Sequence, residues 1–344
     1  MLKADHPIAV IGAGAWGTAL ARLLANKGHQ VRLWEHFPEY AEELRDTREN
    51  RKFLPGVPIP RSVEITSDPA EAVAGAELVV MVPPAQHFRA VARRLAAAGA
   101  KPRWVLSASK GIEHGSLSRM TEIIRKEFPA GVMAGALSGP SHAEEVGRDL
   151  PTSVVAAADD GQTAEVFQEA FMNDSFRVYT SEDIAGVELG GALKNIIALA
   201  AGVVDGLELG DNAKAALITR GLAEIGRMGA ALGARAETFA GLSGLGDLVV
   251  TCTSRHSRNR RVGEELGRGR QLTDILAGME MVAEGVETAR SAYQLAQHLG
   301  VDLPITEQVY RLLFSGLPPA EAVKRLMQRP RKPEMPAARG GEPA

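Results

Sequence analysis

The stretch Ile8-Ala9-Val10-Ile11-Gly12-Ala13-Gly14-Ala15-Trp16-Gly17-Thr18-Ala19-Leu20-Ala21-Arg22-Leu23-Leu24 decides the fold. Its first four residues read as a buried strand, its glycines as a turn, and its alanine- and leucine-rich end as a helix. That order suits a dinucleotide pyrophosphate. Gly12 permits the tight turn, Gly14 lets backbone amides approach the phosphates, and Gly17 lets the helix lie close to the strand. Glycine-rich turns are common by themselves. Between a strand and a helix, this one predicts dinucleotide binding and hence a nicotinamide or flavin cofactor.

Working outward, residues 30–34 read as a second strand, and Pro38 can open a helix that runs to residue 48. Residues 50–60, with Pro55, Pro58 and Pro60, read as an irregular loop. Short apolar runs follow at 63–65, 78–82, 104–106, 132–137 and 153–157, with helical spacing between most of them, notably at 88–98 and 117–128. Strands alternating with helices predict a parallel sheet covered on both faces, with ligands beyond the carboxyl ends of the strands.

From about Asp183 the pattern changes to long apolar helical stretches at 186–204 and 212–232, with Asp211 as the expected N-cap and Gly233 as the expected stop of the second. Further helices are predicted at 261–266, 288–299 and 306–314, and Pro318-Pro319 opens a last one. The expected layout is a Rossmann-like parallel-sheet domain over 1–182, an all-helical C-terminal domain over 183–328, and a proline-rich disordered tail over 329–344.

Composition narrows the class. A net charge of -3 argues against a general nucleic-acid or membrane-surface binder. One cysteine, Cys252, excludes an internal disulfide and any multi-cysteine metal site, and suits a reducing cytoplasm. The start of the chain reads as neither signal peptide nor membrane span, so a soluble cytoplasmic protein is expected. Asn173-Asp174-Ser175 matches a glycosylation sequon, which in that setting is chance.

Lys194-Asn195 lies among leucine, isoleucine and alanine on a predicted helix. In a partly dry cleft such an amine loses charge easily and suits a general base; the other reading is a structural ion pair. Lys110 follows the strand at 104–106 and is either a cleft cation or a surface lysine. Ser138-Gly139-Pro140-Ser141 offers backbone and hydroxyl donors or a plain turn. The basic run Arg255–Arg261, containing Ser257-Arg258-Asn259, reads as a phosphate site at a helix N-terminus, a solvated loop or a nucleic-acid patch, the last disfavoured by the overall charge. Asp247 ends a glycine-rich turn, as a partner for a lysine or a substrate hydroxyl, or as an N-cap. The histidines, His142 and His256 included, show no metal-ligand spacing and no triad, so no metal is expected. A dehydrogenase with a lysine base remains.

Several motifs in order carry a closer resemblance. They are residues 12–17, Asn50-Arg51-Lys52-Phe53-Leu54-Pro55, Ser109-Lys110-Gly111, Ser138-Gly139-Pro140-Ser141, Leu193-Lys194-Asn195, Gly244-Leu245-Gly246-Asp247-Leu248, Ser257-Arg258-Asn259 and Glu284-Gly285-Val286-Glu287-Thr288. From Ile8 to about Gln328 the chain resembles the soluble, bacterial type of NAD(P)-dependent glycerol-3-phosphate dehydrogenase. The resemblance implies reversible conversion of sn-glycerol 3-phosphate to dihydroxyacetone phosphate with NAD or NADP, a role in supplying glycerophosphate for phospholipids, and a homodimer. It places Lys194 as proton acceptor, with Lys110, Gly139, Ser141, Lys194, Asp247, Ser257, Arg258 and Asn259 at substrate positions. Cofactor positions are Gly12, Gly14, Ala15, Trp16, Gly17, His36, Lys110, Ala143, Arg258, Val282 and Glu284, where Ala15 departs from the serine often found before the aromatic.

Two other readings stand beside it. A β-hydroxyacid dehydrogenase also uses a lysine but commonly places asparagine four residues later, where this chain has Ala198. A non-enzymatic dinucleotide sensor needs the glycine turn but not Lys194 and Asp247. Cofactor choice turns on Glu35: pointing inward, it favours NADH, and pointing to solvent, it leaves His36 free to contact a 2′-phosphate. The family tolerates both, and dual use is the expectation.

Overall fold

The computed structural model describes residues 6–331 and 333–334. Eight strands form one sheet: β1 (Ile8–Ile11), β2 (Val31–Trp34), β3 (Val63–Thr66), β4 (Leu78–Met81), β5 (Trp104–Ser107), β6 (Met133–Ser138), β7 (Thr152–Ala158) and β8 (Phe176–Ser181). Their order is β3-β2-β1-β4-β5-β6-β7-β8. The chain therefore reverses direction across the sheet between β1 and β4, the switch point where a doubly wound sheet opens a ligand crevice. Alternation along β1 explains its continuous apolarity: Ile8 and Val10 enter one core with Leu20, Leu24 and Phe167, while Ala9 and Ile11 enter another with Phe88, Leu95 and Ile123.

Helices α1 (Ala15–Asn26), α2 (Pro38–Thr47), α3 (Pro69–Val73), α4 (Phe88–Ala97), α5 (Met120–Glu127), α6 (Ala143–Val146) and α7 (Gly161–Phe171) accompany the strands. The sequence predicts a parallel sheet, and the structure departs from it at one pairing: β6 and β7 run antiparallel, while β7 and β8 run parallel. Strand β8 escaped the sequence reading because its residues alternate between buried Phe176 and Val178 and exposed neighbours, a weak signal at a sheet edge. The Asn173 sequon opens it, since Asn173 Oδ1 accepts from the amides of Ser175 at 2.9 Å and Phe176 at 2.8 Å. Helix α5 begins at Met120 rather than residue 117 because Leu117 sits at φ 56°, outside helical geometry.

After Ser181 every described element is helical: α8 (Ile184–Gly206), α9 (Gly210–Ala231), α10 (Ala236–Ala240), α11 (Asp247–Thr253), α12 (Arg258–Gly267), α13 (Leu272–Ala277), α14 (Glu284–Leu299), α15 (Pro304–Phe314) and α16 (Pro319–Met327). Asp211 is not the N-cap of α9; it lies in the first turn, behind Leu209. The expected tail over 329–344 lies mostly outside the described residues; Arg329, which is described, pairs with Asp302 at 2.6 Å.

Helix α8 is apolar on all sides because the others wrap it. By length and composition it is apolar enough to cross a membrane, yet 94% of its most apolar 18-residue stretch is buried inside the fold. It crosses α12 at main-chain contact. A Cβ built at Gly202 would sit 1.9 Å from the carbonyl oxygen of Arg260, and one at Gly263 would sit 1.9 Å from that of Leu199. Only glycine permits this approach.

Candidate active site

The glycine turn closes against the end of β2, with the Gly12 amide donating to the Trp34 carbonyl at 3.0 Å. Gly12 takes φ 110°, and a Cβ at Gly17 would meet the Gly12 carbonyl at 1.8 Å, so α1 starts in direct contact with the turn. A Cβ at Gly14 would meet nothing within 4 Å. That open space above the start of α1 fits a pyrophosphate approaching backbone amides.

Asn50 braces the turn from below, a role its place in an irregular loop did not reveal. Its Nδ2 donates to the Ala13 carbonyl at 2.8 Å and to Thr18 Oγ1 at 2.7 Å, while Oδ1 accepts from Tyr40 at 2.6 Å. Glu35 points inward, only 7% exposed, and accepts from the Phe37 amide at 3.0 Å. Burial raises its pKa, opposed by the backbone amides of Phe37, His36 and Ala13. His36 is exposed beside it. The side-chain nitrogens Trp16 Nε1 and His142 Nε2 are buried without a protein partner.

At the other end of the cleft, side chains from both halves of the chain converge. Lys194, 6% exposed on α8, donates to Asp247 Oδ1 and, at 2.8 Å, to Thr251 Oγ1. Thr251 passes its own hydrogen to the Asp247 carbonyl at 2.6 Å, so its oxygen is free to accept from the lysine. Asp247 Oδ2 accepts from Lys110 at 2.7 Å, and Lys110 also donates to the Gly139 carbonyl at 2.9 Å. Lys110 lies beyond the end of β5 and Gly139 beyond the end of β6, so the cluster sits at the carboxyl edge of the sheet. Asp247 is not an N-cap: it opens α11 behind a π-helical turn, Leu242–Gly246, which carries it into the cleft.

Burial pushes the Lys194 amine down to about 7; Asp247 opposes this and the charge of Lys110 adds to it. Burial alone would raise the Asp247 carboxyl, but Lys110 and Lys194 hold it below its ordinary value. The result is an amine that changes charge near neutrality, beside a carboxylate that does not.

The N-terminus of α12 forms a third wall. Ser257 caps it, its hydroxyl accepting from the Arg260 amide at 3.2 Å. Asn259 donates to Asn195 Oδ1 at 2.9 Å and accepts from the Gly285 amide at 2.9 Å, so it ties α12 to α8 and to the start of α14. Exposed Arg258 donates to the Val282 carbonyl at 3.1 Å, which leaves the rest of its fork available. Glu284 accepts from the Ala85 amide at 3.2 Å; burial raises its pKa and Arg258 opposes the rise. Ser141 donates back to the Gly139 carbonyl at 2.9 Å, next to Ala143 at the head of α6.

The structure thus joins Lys110, Gly139, Lys194 and Asp247 directly. Ser257, Arg258, Asn259, Val282 and Glu284 form an adjoining wall. Gly12, Gly14, Ala15, Trp16, Gly17 and His36 belong to the glycine-turn end. Thr251 was missed by the sequence reading; its signal was its place one helical turn after Asp247.

Comparison with known proteins gives the family of the chain. Family models for the N-terminus and the C-terminus of NAD-dependent glycerol-3-phosphate dehydrogenase match residues 7–164 and 183–324. The chain is 52% identical over 330 residues to a glycerol-3-phosphate dehydrogenase, NAD(P)+, of Chlorobium luteolum, covering 95% of this chain and 99% of that one. It is 53% identical to the one of Pelotomaculum thermopropionicum, covering 95% of each. The crystal structure of glycerol-3-phosphate dehydrogenase from Coxiella burnetii superposes with a TM-score of 0.91 at 40% identity, over 95% of this chain and 100% of that one. The chain belongs to the NAD-dependent glycerol-3-phosphate dehydrogenase family.

Proposed function

We propose that this chain interconverts sn-glycerol 3-phosphate and dihydroxyacetone phosphate with NAD(P), and that Lys194 moves the proton. The observation that carries this assignment is the Lys194 amine, fixed by Asp247 and Thr251 and brought to about 7 by burial. Two of its hydrogens are directed at those partners, so its remaining tetrahedral position is left for the substrate oxygen. As a neutral amine there, Lys194 takes the C2 hydroxyl proton; as an ammonium, it returns one to the ketone oxygen. The nicotinamide, when bound at the switch point, supplies the hydride chemistry.

Lys110 stands beside the same carboxylate and orients the reacting oxygen. Arg258 and the amides at the head of α12 hold the phosphate, with Ser257 and Asn259 shaping that wall and Gly139 and Ser141 lining the opposite one. Holding the phosphate away from C2 lets its binding energy position the reacting centre. Gly12, Gly14, Ala15, Trp16, Gly17 and His36 are assigned to the dinucleotide, with Ala143, Val282 and Glu284 where it meets the helical half.

The reaction supplies the glycerophosphate backbone of phospholipids. Family resemblance supports a cytoplasmic homodimer, which light scattering on purified protein tests. It also supports a division of the chain at residues 182 and 183, which limited proteolysis tests. The activity is tested by following NADH and NADPH oxidation with dihydroxyacetone phosphate. Cofactor binding without turnover would favour a sensor instead.

A further inference from the structure

We propose that Arg94, on α4, is a specificity residue that holds the 2′-phosphate of NADP together with His36. The proposal rests on the dinucleotide reading of the glycine turn and adds to it a residue from outside that turn. Glu35 points inward, which by itself favours NADH, because an acid at the end of β2 hydrogen-bonds ribose hydroxyls and repels a phosphate. The nearby cations decide whether that preference stands.

Arg32 cannot help. Its guanidinium is engaged by Glu64 at 2.9 Å and by the carbonyls of Glu71 and Ala74 at 3.1 and 2.5 Å. On α4, Arg89 is held by Glu113 at 2.6 Å and Arg93 by Glu127 at 2.9 Å. Arg94 differs: among the described residues it meets no carboxylate. Its Nη1 lies 3.1 Å from His36 Nδ1, and its guanidinium lies over the Trp34 ring, 5.4 Å from the centroid. The ring face attracts the guanidinium. In the neutral imidazole, accepting at Nδ1 places the hydrogen on Nε2, so His36 presents a donor. Phe37 packs edge-on against His36, with ring centroids 4.8 Å apart, and is itself 61% exposed.

A guanidinium that meets no carboxylate among the described residues and an imidazole N–H thus flank the solvent side of the β2 end, while the Glu35 carboxylate is turned to backbone amides. A phosphate monoester on the ribose is the ligand chemistry that uses both donors. On this reading the chain accepts both cofactors in spite of Glu35.

Calorimetric titration of the full chain with NADH, NADPH, adenosine 2′,5′-bisphosphate and AMP tests the proposal without turnover. Arg94→Gln should weaken NADPH and the bisphosphate by roughly tenfold or more, the loss of a charge-assisted hydrogen bond, and leave NADH and AMP unchanged. Arg93→Gln, on the same helix but paired with Glu127, should change none of them. Equal weakening of both cofactors, no change in either, or wild-type protein that binds NADH but not NADPH would overturn the role of Arg94. Wild-type protein that binds neither would refute the dinucleotide reading itself.

Discussion

Lys110 Nζ lies 2.7 Å from Asp247 Oδ2, an ion pair between the end of a sheet strand and a helix 137 residues further along the chain. Because the other oxygen of Asp247 takes Lys194, one buried carboxylate faces two amines. Burial disfavours the charged form of the Lys194 amine and the charge of Lys110 adds to this, so Lys194 titrates far below an ordinary lysine in spite of Asp247.

The pH dependence follows with a definite sign. Glycerol 3-phosphate oxidation needs the neutral amine, so kcat/KM should rise with pH through about 7 and level off above it. Ketone reduction needs the ammonium and should fall over the same range. Asp247→Asn removes the charge that favours the ammonium, so both midpoints should move to lower pH. Profiles that keep their midpoints in this variant would separate Asp247 from the titration.

Lys194→Met removes the proposed proton carrier and keeps a flexible apolar chain in the same space. Turnover should fall by about 10²–10⁴, the usual contribution of an acid–base group, with NADH binding largely retained. Steady-state kinetics on folded variant protein, with folding checked by circular dichroism, decide this; near-normal kcat would remove Lys194 from the chemistry.

Arg258→Ala should raise KM for dihydroxyacetone phosphate, and lower kcat as well if the phosphate anchor aligns C2. The guanidinium uses one donor on the Val282 carbonyl, and its loss also removes the charge that opposes the raised pKa of Glu284. An unchanged kcat/KM would move the phosphate site elsewhere on the α12 wall.

Glu224 tests the helical half independently of catalysis. On α9 it caps α15, accepting from the amides of Ile305 at 2.5 Å and Thr306 at 3.1 Å and from the Thr306 hydroxyl at 3.1 Å, yet burial pushes its pKa up to about 7. A carboxyl raised on folding favours the native state below its unfolded pKa of 4.5, and that advantage is lost as pH rises to about 7. The loss is on the order of 3 kcal/mol. Urea unfolding at both ends of this range should show a steeper decline in wild-type protein than in Glu224→Gln; parallel declines would show that Glu224 is not the source.

The sheet and the central helix were legible in the sequence because their signals are local. Val10 and Ile11 are strand residues whichever face they enter, and the glycine turn names its own neighbours. Asp247 was legible as a partner for a lysine, but that it meets Lys194 and Lys110 together was not, since no spacing rule connects residues on separate elements. Thr251 looked like any helical threonine, Asn50 like a loop residue, and Arg94 like one more arginine on a basic helix. The inward turn of Glu35 depended on the amides of Ala13 and Phe37, whose directions only the folded backbone sets. The antiparallel step between β6 and β7 was hidden for the same reason: strand direction is a property of pairing and leaves no mark on composition.

The contact of α8 with α12 has a mechanical consequence. Where Gly202 and Gly263 meet the opposite backbone, no side chain cushions the two helices, so neither can tilt or slide without breaking main-chain packing. Lys194 rides on one of these helices and Ser257 heads the other, so the amine and the head of α12 are held in one stiff frame. Lys110 reaches this frame from the sheet, so its ion pair with Asp247 joins the two halves, as do the bonds of Glu188 to Arg119 and Thr121 and of Glu284 to the Ala85 amide.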